Sequence, residues 1–311
     1  SDYCSTPEHY QLISSLGDWL KQEKIPALYM IDTRKLTKKI RDDGSMLCKI
    51  EFPGKPVDFY DPNKENLSQY VAINDIQSYY GTNYKEYGSK SIYLIDCGNK
   101  NSILKKLLNF NVKVTVVPWN YNFLMDVHKF DGILISNGPG NPTFMTETIE
   151  NVREFIKSDY SKPIFGICLG HQVLALAAGA SIYKMKYGNR SMNQPVIDLR
   201  TQRCYITPQN HGYAVDEKSL AEDWKPLFVN ANDHSNEGII HSTKPFFSVQ
   251  FHPEGNGGPD DTEFLFQSFM DLIETKKFEI NTIKRIRKHN IKKILLLGSG
   301  GISIGQAGEF D

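Results

Sequence analysis

The sequence predicts an α/β protein, a mostly parallel sheet with helices on both faces, preceded by part of a smaller α+β unit. Two patterns predict it. From Ser89 to about Thr275, short apolar runs alternate with helical stretches, the order that a parallel sheet with crossover helices requires. Earlier in the chain a single capped helix lies between two strand-like runs. A third observation bounds both: with 40% hydrophobic and 12% aromatic residues, 311 positions suffice for packed cores in about two domains.

In residues 1–87, Asp32 or Thr33 is placed to accept the free amides at the start of RKLTKKIRDD, and Gly44 offers a left-handed stop. The flanking runs IPALYMI (25–31) and SMLCKIEF (45–52) suit strands. A polar stretch at 60–90, rich in Asn, Tyr, Asp and Gly, then reads as a boundary loop.

Residues 88–275 form the main unit. SIYLIDC, VKVTVVP, DGILIS and PIFGI read as strands, and NSILKKLLNF, TETIENVREFIK and LGHQVLALAA as helices. A β-rich half follows (KPLFVNAN, EGIIHS, FFSVQF), closed by the helix DTEFLFQSFMDLIE. Residues 276–290 are basic and polar, suiting a linker, and 291–311 open a new strand and glycine loop. The chain therefore reads as a fragment of a longer polypeptide. The loop run GSGGISIG fails the dinucleotide spacing because Ser303 stands where a glycine is required.

Charge and cysteine usage exclude several classes. Lys plus Arg equals Asp plus Glu at 36 each, so no overall basic field exists for nucleic acid or an acidic membrane surface. No apolar run reaches the length of a membrane span. Cys4, Cys48, Cys97, Cys168 and Cys204 are odd in number and scattered, which favours free thiols in a reducing cytoplasm. A small-molecule substrate is expected.

The chemistry concentrates at FGICLGHQ. Gly166 and Gly170 bracket Cys168 in a G-x-nucleophile-x-G turn, where glycines let the backbone fold sharply enough to present the central side chain. At a helix start the free amides and dipole favour a thiolate, and the Leu169 N–H is placed to hold an oxyanion. A buried cysteine acting as a small hydrophobe is the plain alternative, which the paired glycines disfavour.

A nucleophilic thiol needs a base and the base an orienting group. His252-Pro253-Glu254 supplies both, because residues two apart on an extended chain share a face and proline keeps the chain extended before it. His171, one helical turn beyond Cys168, is expected to point into packing. Further ligands at zinc spacing around these two are missing, so no metal is expected. Ser136-Asn137-Gly138-Pro139-Gly140-Asn141-Pro142 follows a strand as a stiff turn of bare amides, suited to a second oxyanion donor.

Taken together, GICLGHQ, SNGPG and HPE resemble the class I, triad-type glutamine amidotransferases, whose fold is flavodoxin-like. QNHGYAV (209–215), KMKYGN (184–189) and IDTRKLT (31–37) resemble, more narrowly, the small-subunit portion of glutamine-dependent carbamoyl-phosphate synthetase. KKILLLGSGGISIGQAGEFD is similar to the opening of the synthetase portion, as in fused eukaryotic polypeptides of pyrimidine synthesis.

The resemblance implies that residues 1–87 are a truncated small-subunit N-terminal domain, 88–275 the glutaminase domain and 291–311 the start of the synthetase. It implies Cys168 as nucleophile, His252 as base and then acid, and Glu254 as orienter. Glutamine would be gripped at Gly138, Gly140, Leu169, Gln172, Asn210, Gly212 and Tyr213. Ammonia would pass to a synthetase domain that uses ATP, magnesium and bicarbonate; no cofactor is expected in this chain.

Two departures stand out: Tyr213 occupies a place where the family often has Phe, and a serine that the family lends from an earlier segment is absent. A noncatalytic module that docks on and regulates a synthetase, or another class I amidotransferase, are the alternatives.

Overall fold

The computed structural model describes residues 3–10, 12–256 and 258–275; the linker and glycine-loop readings at 276–311 lie outside the described residues. The chain divides into two units between Tyr60 and Asp61. The boundary therefore falls earlier than the expected 87, because 61–87 pack with the second unit: Asp96 accepts from the Ile73 amide at 2.9 Å, and Ser68 donates to the Cys97 carbonyl at 2.8 Å.

The first unit carries α1 (Leu16–Gln22), capped by the Ser15 hydroxyl, and α2 (Thr33–Asp43). Asp32 is the cap of α2, accepting from the Lys35 amide at 2.9 Å, and Gly44 ends the helix with φ of 86°. The two runs expected as strands, 25–31 and 45–52, are not strands. Both are exposed and join no ladder beyond an isolated Phe52–Lys55 bridge, and β-propensity without a partner strand leaves a chain irregular.

In chain order the second unit runs α3 (Ser68–Val71), β1 (Gln77–Tyr80), β2 (Lys90–Asp96), α4 (Asn101–Leu108), β3 (Val112–Pro118), β4 (Gly132–Ile135) and α5 (Thr146–Lys157). It continues with β5 (Ile164–Ile167), α6 (Leu169–Ala177), β6 (Ile182–Asp198), β7 (Arg203–Val215), β8 (Trp224–Asn230), β9 (Asn236–His241), β10 (Phe246–Val249) and α7 (Phe264–Thr275). One sheet holds all the strands in the order β1-β3-β2-β4-β5-β10-β9-β8-β6-β7. Its centre, β3-β2-β4-β5-β10, is wholly parallel. Beyond β10 the sheet continues antiparallel through β9, β8, β6 and β7, and β1 pairs antiparallel with β3 at the other edge.

Alternation of side chains along the parallel strands feeds two cores. Ile92 and Leu94 of β2 face one side, where Ile103 and Leu107 of α4 and Phe266, Phe269 and Ile273 of α7 cover them. Tyr93 and Ile95 face the other, under Val152 and Phe155 of α5 and Val173 and Leu174 of α6. Phe165 is fully buried in the first core, with Phe247 stacked on it at 4.4 Å between ring centroids. Successive parallel strands run outward from β2 in both directions, so the β2/β4 boundary is the switch point beyond whose carboxyl ends this architecture opens a crevice.

Candidate active site

Four strand ends converge on that crevice. The segment after β2 brings Lys100, the turn after β4 brings Gly138, the end of β5 brings Cys168, and the segment after β10 brings His252; Asn210 of β7 closes the wall. The cleft they line holds about 460 Å³, enough for an amino-acid-sized ligand.

Cys168 sits at the tip of β5 with φ of 54° and ψ of −101°. A non-glycine residue held there costs about 1–3 kcal/mol, which the neighbouring packing must offset. The bracketing glycines make the turn possible: a Cβ on Gly170 would lie 2.1 Å from the Ile135 carbonyl oxygen, and one on Gly166 would lie 2.6 Å from the Gly170 oxygen. The Cys168 amide donates to the Val249 carbonyl at 2.8 Å, fixing the elbow to β10 and hence to the segment that carries His252.

His252 is held from both sides. Its amide donates to the Pro208 carbonyl at 2.9 Å, and its Nδ1 lies 2.8 Å from Glu254 Oε1. That leaves the other ring nitrogen free for the thiol, to whose charge the imidazole is electrostatically coupled. Glu254 is fully buried, and the same Oε1 receives Lys100 Nζ at 3.0 Å.

The charges follow from these contacts. Burial alone would raise the Cys168 thiol, but the His252 imidazolium and the charge of His211 hold it below its ordinary value. Burial alone would lower His252, but the thiolate and Glu254 raise it to about 10. Burial would raise Glu254 too, yet His252 and Lys100 keep it lowered and ionised. Each group thus favours the charged form of the other, an ion pair of thiolate and imidazolium.

The sulfur has further neighbours. Gln250 Nε2 donates to Cys168 Sγ at 3.7 Å, while its Oε1 accepts from Gln172 Nε2 at 2.9 Å. Sγ also lies 3.9 Å from the Asn210 carbonyl.

The turn after β4 is locked rather than loose. Ser136 Oγ accepts from the Cys97 amide at 2.9 Å and donates to the Asn137 carbonyl, and Asn137 Oδ1 accepts from the Lys100 amide at 3.0 Å. A Cβ on Gly138 would lie 2.1 Å from the Cys97 carbonyl oxygen, so only glycine lets this backbone lie so close.

Of the residues expected at the site, Gly138, Cys168, Asn210 and His252 line the cleft, with Glu254 directly behind His252. Leu169 buries its side chain in the core, leaving only its backbone for substrate. Gln172 spends its amide on Gln250 Oε1 and the Tyr213 carbonyl, both at 2.9 Å. The Tyr213 hydroxyl donates to Asn63 Oδ1 at 3.0 Å, which gives the extra oxygen at this position a structural use. Gly140 (φ 86°) packs beside Leu67, and Gly212 lies beside Arg190; neither is among the cleft-lining residues. His171 is buried as expected, its Nδ1 2.9 Å from Ser248 Oγ. Sequence reasoning missed Lys100, Gln250 and the group Gln209, His211 and Glu237. Among the described residues no cluster of three or more His, Cys, Asp or Glu could hold a metal ion, and no helix is long and apolar enough to cross a membrane.

Comparisons with known proteins place this geometry. Residues 93–272 match the family described as glutamine amidotransferase class-I, and residues 1–50 match the CPSase domain of the carbamoyl-phosphate synthase small chain. The mitochondrial carbamoyl-phosphate synthase (ammonia) of Homo sapiens is 49% identical over all of this chain, which spans 20% of that protein. Multifunctional protein CAD of Squalus acanthias is 47% identical over 98% of the chain, covering 14% of its own length. Multifunctional protein pyr1-3 of Dictyostelium discoideum is 46% identical over the whole chain and 15% of its own length. The chain thus spans about a fifth or less of these relatives. A crystal structure of a Thermoplasma acidophilum protein described as a GMP synthase component shares the fold, with a TM-score of 0.54 at 24% identity over 61% of this chain and 97% of that one.

Proposed function

Because the chain belongs to the class I glutamine amidotransferase family, we propose that it hydrolyses glutamine to glutamate and ammonia through a thioester on Cys168, with His252 and Glu254 completing the triad. The observation that carries the reading is the meeting of a thiolate on a strained elbow with an imidazole braced by a buried carboxylate, on segments far apart in sequence.

In the first half-reaction the Cys168 thiolate adds to the side-chain amide carbon of glutamine. The carbonyl oxygen takes the negative charge, beside the Leu169 amide at the start of α6 and the cleft-lining backbone at Gly138; one such donor contributes about 3 kcal/mol. His252 gives its proton to the departing nitrogen, so ammonia leaves and the thioester remains. Neutral His252 then takes a proton from water, hydroxide adds to the thioester, and glutamate departs as Cys168 returns to the thiolate. Glu254 holds the ring through Nδ1 throughout, so the same nitrogen faces the chemistry in both halves.

Ammonia would serve carbamoyl-phosphate synthesis in a synthetase domain of the same polypeptide or a partner chain, where ATP, magnesium and bicarbonate would act. The small-chain match at residues 1–50 and the named relatives support that assignment. All five thiols are free, which suits a reducing compartment such as the cytoplasm; the carbamoyl-phosphate synthase relatives are named as mitochondrial, and cell fractionation decides between the two.

The test is to incubate the chain with an electrophilic glutamine analogue and map the adduct by peptide mass spectrometry. Labelling of Cys168 that glutamine competes away is expected. Labelling elsewhere, or none, overturns the reading.

A further inference from the structure

Behind the nucleophile lies a second buried imidazole and carboxylate that the triad does not use. His211, on β7, is 5% exposed, and Glu237, on β9, is fully buried. The protonation of His211 can be read from its neighbours. Nδ1 lies 2.9 Å from the Tyr213 carbonyl oxygen, which only accepts. Nε2 lies 3.1 Å from Gln209 Oε1 and 3.5 Å from Glu237 Oε1.

The orientation of the Gln209 amide is itself fixed. Thr207 Oγ1 donates its one proton to the Gln194 carbonyl at 2.9 Å, so it must accept from Gln209 Nε2 at 3.2 Å, and this turns Gln209 Oε1 toward His211. Both ring nitrogens therefore face acceptors. A neutral imidazole would bury one lone pair against an oxygen; only the imidazolium, with two N–H donors, satisfies both.

We infer that His211 is a resident cation, held by Glu237, whose positive charge helps keep Cys168 as a thiolate, making it a positioning residue of the nucleophile rather than a structural histidine. The inference rests on the reading of Cys168 as the nucleophile.

The charged and titratable groups facing His211 are Glu237 on β9, Asp233 in the turn before it, Cys168 on the elbow and His171 on α6. The directions at Cys168, His171 and Asp233 agree with a charged His211, while at Glu237 burial raises the carboxyl against the pull of the His211 charge. Burial would lower His211 itself, but Glu237 and the thiolate raise it, and it in turn lowers His171 and Asp233. Asp233 is anchored by Asn189 Nδ2 at 3.0 Å and by Ser235, which also reaches Glu237 Oε1 at 3.3 Å, so Ser235 links the two carboxylates. The backbone completes the link: Asn210, adjacent to His211, places its carbonyl oxygen 3.9 Å from Sγ, and the Glu237 carbonyl accepts the amide of Gln250, whose side chain donates to Sγ.

Histidine-selective ¹⁵N NMR on the full chain tests the charge directly. At about pH 8, well above the ordinary histidine value of about 6.5, both His211 nitrogens are expected to be protonated, and a neutral tautomer there overturns the inference. His211→Gln should slow Cys168 alkylation by iodoacetamide near pH 7 about three- to tenfold and carry its pH profile upward. Glu237→Gln should release the His211 proton near neutrality and slow alkylation in the same sense. An unchanged profile in a folded variant overturns the charge role. If His211→Gln does not fold, the NMR measurement on the unaltered chain and on Glu237→Gln decides. The NMR signal reports on His211 whether or not glutamine is hydrolysed, so its failure and the failure of the glutaminase reading are separately visible.

Discussion

Glu254 Oε1 accepts from His252 Nδ1 at 2.8 Å and from Lys100 Nζ at 3.0 Å, so one carboxylate oxygen ties the β10 segment to the segment after β2. The two donors differ in setting. The imidazole is buried, whereas the Lys100 side chain is 41% exposed.

Glu254→Gln should therefore lower glutamine turnover steeply, up to about 10⁴-fold, the loss that follows when the orienting carboxylate of a hydrolytic triad becomes an amide. Lys100→Met leaves the buried Glu254 with His252 alone as a charged partner, so turnover should fall, but by less than for Glu254→Gln because the ammonium is part-exposed. Steady-state glutamate release measures both.

The ion pair of thiolate and imidazolium sets the pH dependence. Cys168 is depressed from the ordinary 9.0, so the thiolate is present at pH values where a free thiol would be protonated, and it is lost as pH falls. His252 is raised to about 10, so the imidazolium persists until pH rises through that value. Alkylation by a neutral reagent should accordingly have its midpoint below pH 9. His252→Ala leaves burial as the dominant influence on the sulfur, and the midpoint should move above 9; stopped alkylation followed by mass spectrometry reads the shift.

Gly170→Ala pushes a methyl to 2.1 Å from the Ile135 carbonyl oxygen, backbone against backbone with no side chain able to yield. A loss of about 3 kcal/mol or more is expected, at the upper end of overpacking effects. Gly179→Ala provides the comparison, since φ of 91° is strained but the space is open, and it should cost about 1 kcal/mol. Urea titration separates the two.

Phe165→Ala should destabilise the second unit by about 3–5 kcal/mol, because its ring is fully buried between Phe247, Phe266 and Phe269. Scanning calorimetry reads this directly.

Gln250→Leu removes the N–H aimed at Sγ and leaves one N–H of the buried Gln172 amide without its acceptor, the other still reaching the Tyr213 carbonyl. About 1–3 kcal/mol of stability should be lost, together with slower alkylation of Cys168. Gln250→Glu keeps the acceptor for Gln172 but sets a carboxylate against the sulfur, so it should slow alkylation more.

The nucleophile was legible because its constraint is local: GICLG spells a turn that demands glycine on both sides of Cys168, and HPE spells a braced imidazole within three residues. The parallel strands were legible because both faces are covered and their apolar runs are nearly unbroken. Residues whose roles arise from register were not. Lys100 reaches Glu254 only because β2 and β10 end at the same edge, and Glu237 reaches His211 only because β9 and β7 are folded onto one wall. The long β6/β7 ladder was hidden for a different reason: much of β6 is exposed or half-exposed and polar, and its register shifts twice, so no clean period of two survives. Gly140 and Gly212, expected at the site from the resemblance, stand outside the residues that line the cleft, with Leu67 and Arg190 beside them.

The position of β10 in the sheet carries a consequence for the making of the protein. It inserts between β5 and β9, and it alone delivers the imidazole to the elbow. Cys168 precedes His252 in the chain, so a polypeptide made from its N-terminus holds the sulfur before it holds the imidazole, and the two meet only through the pairing of β10 with β5.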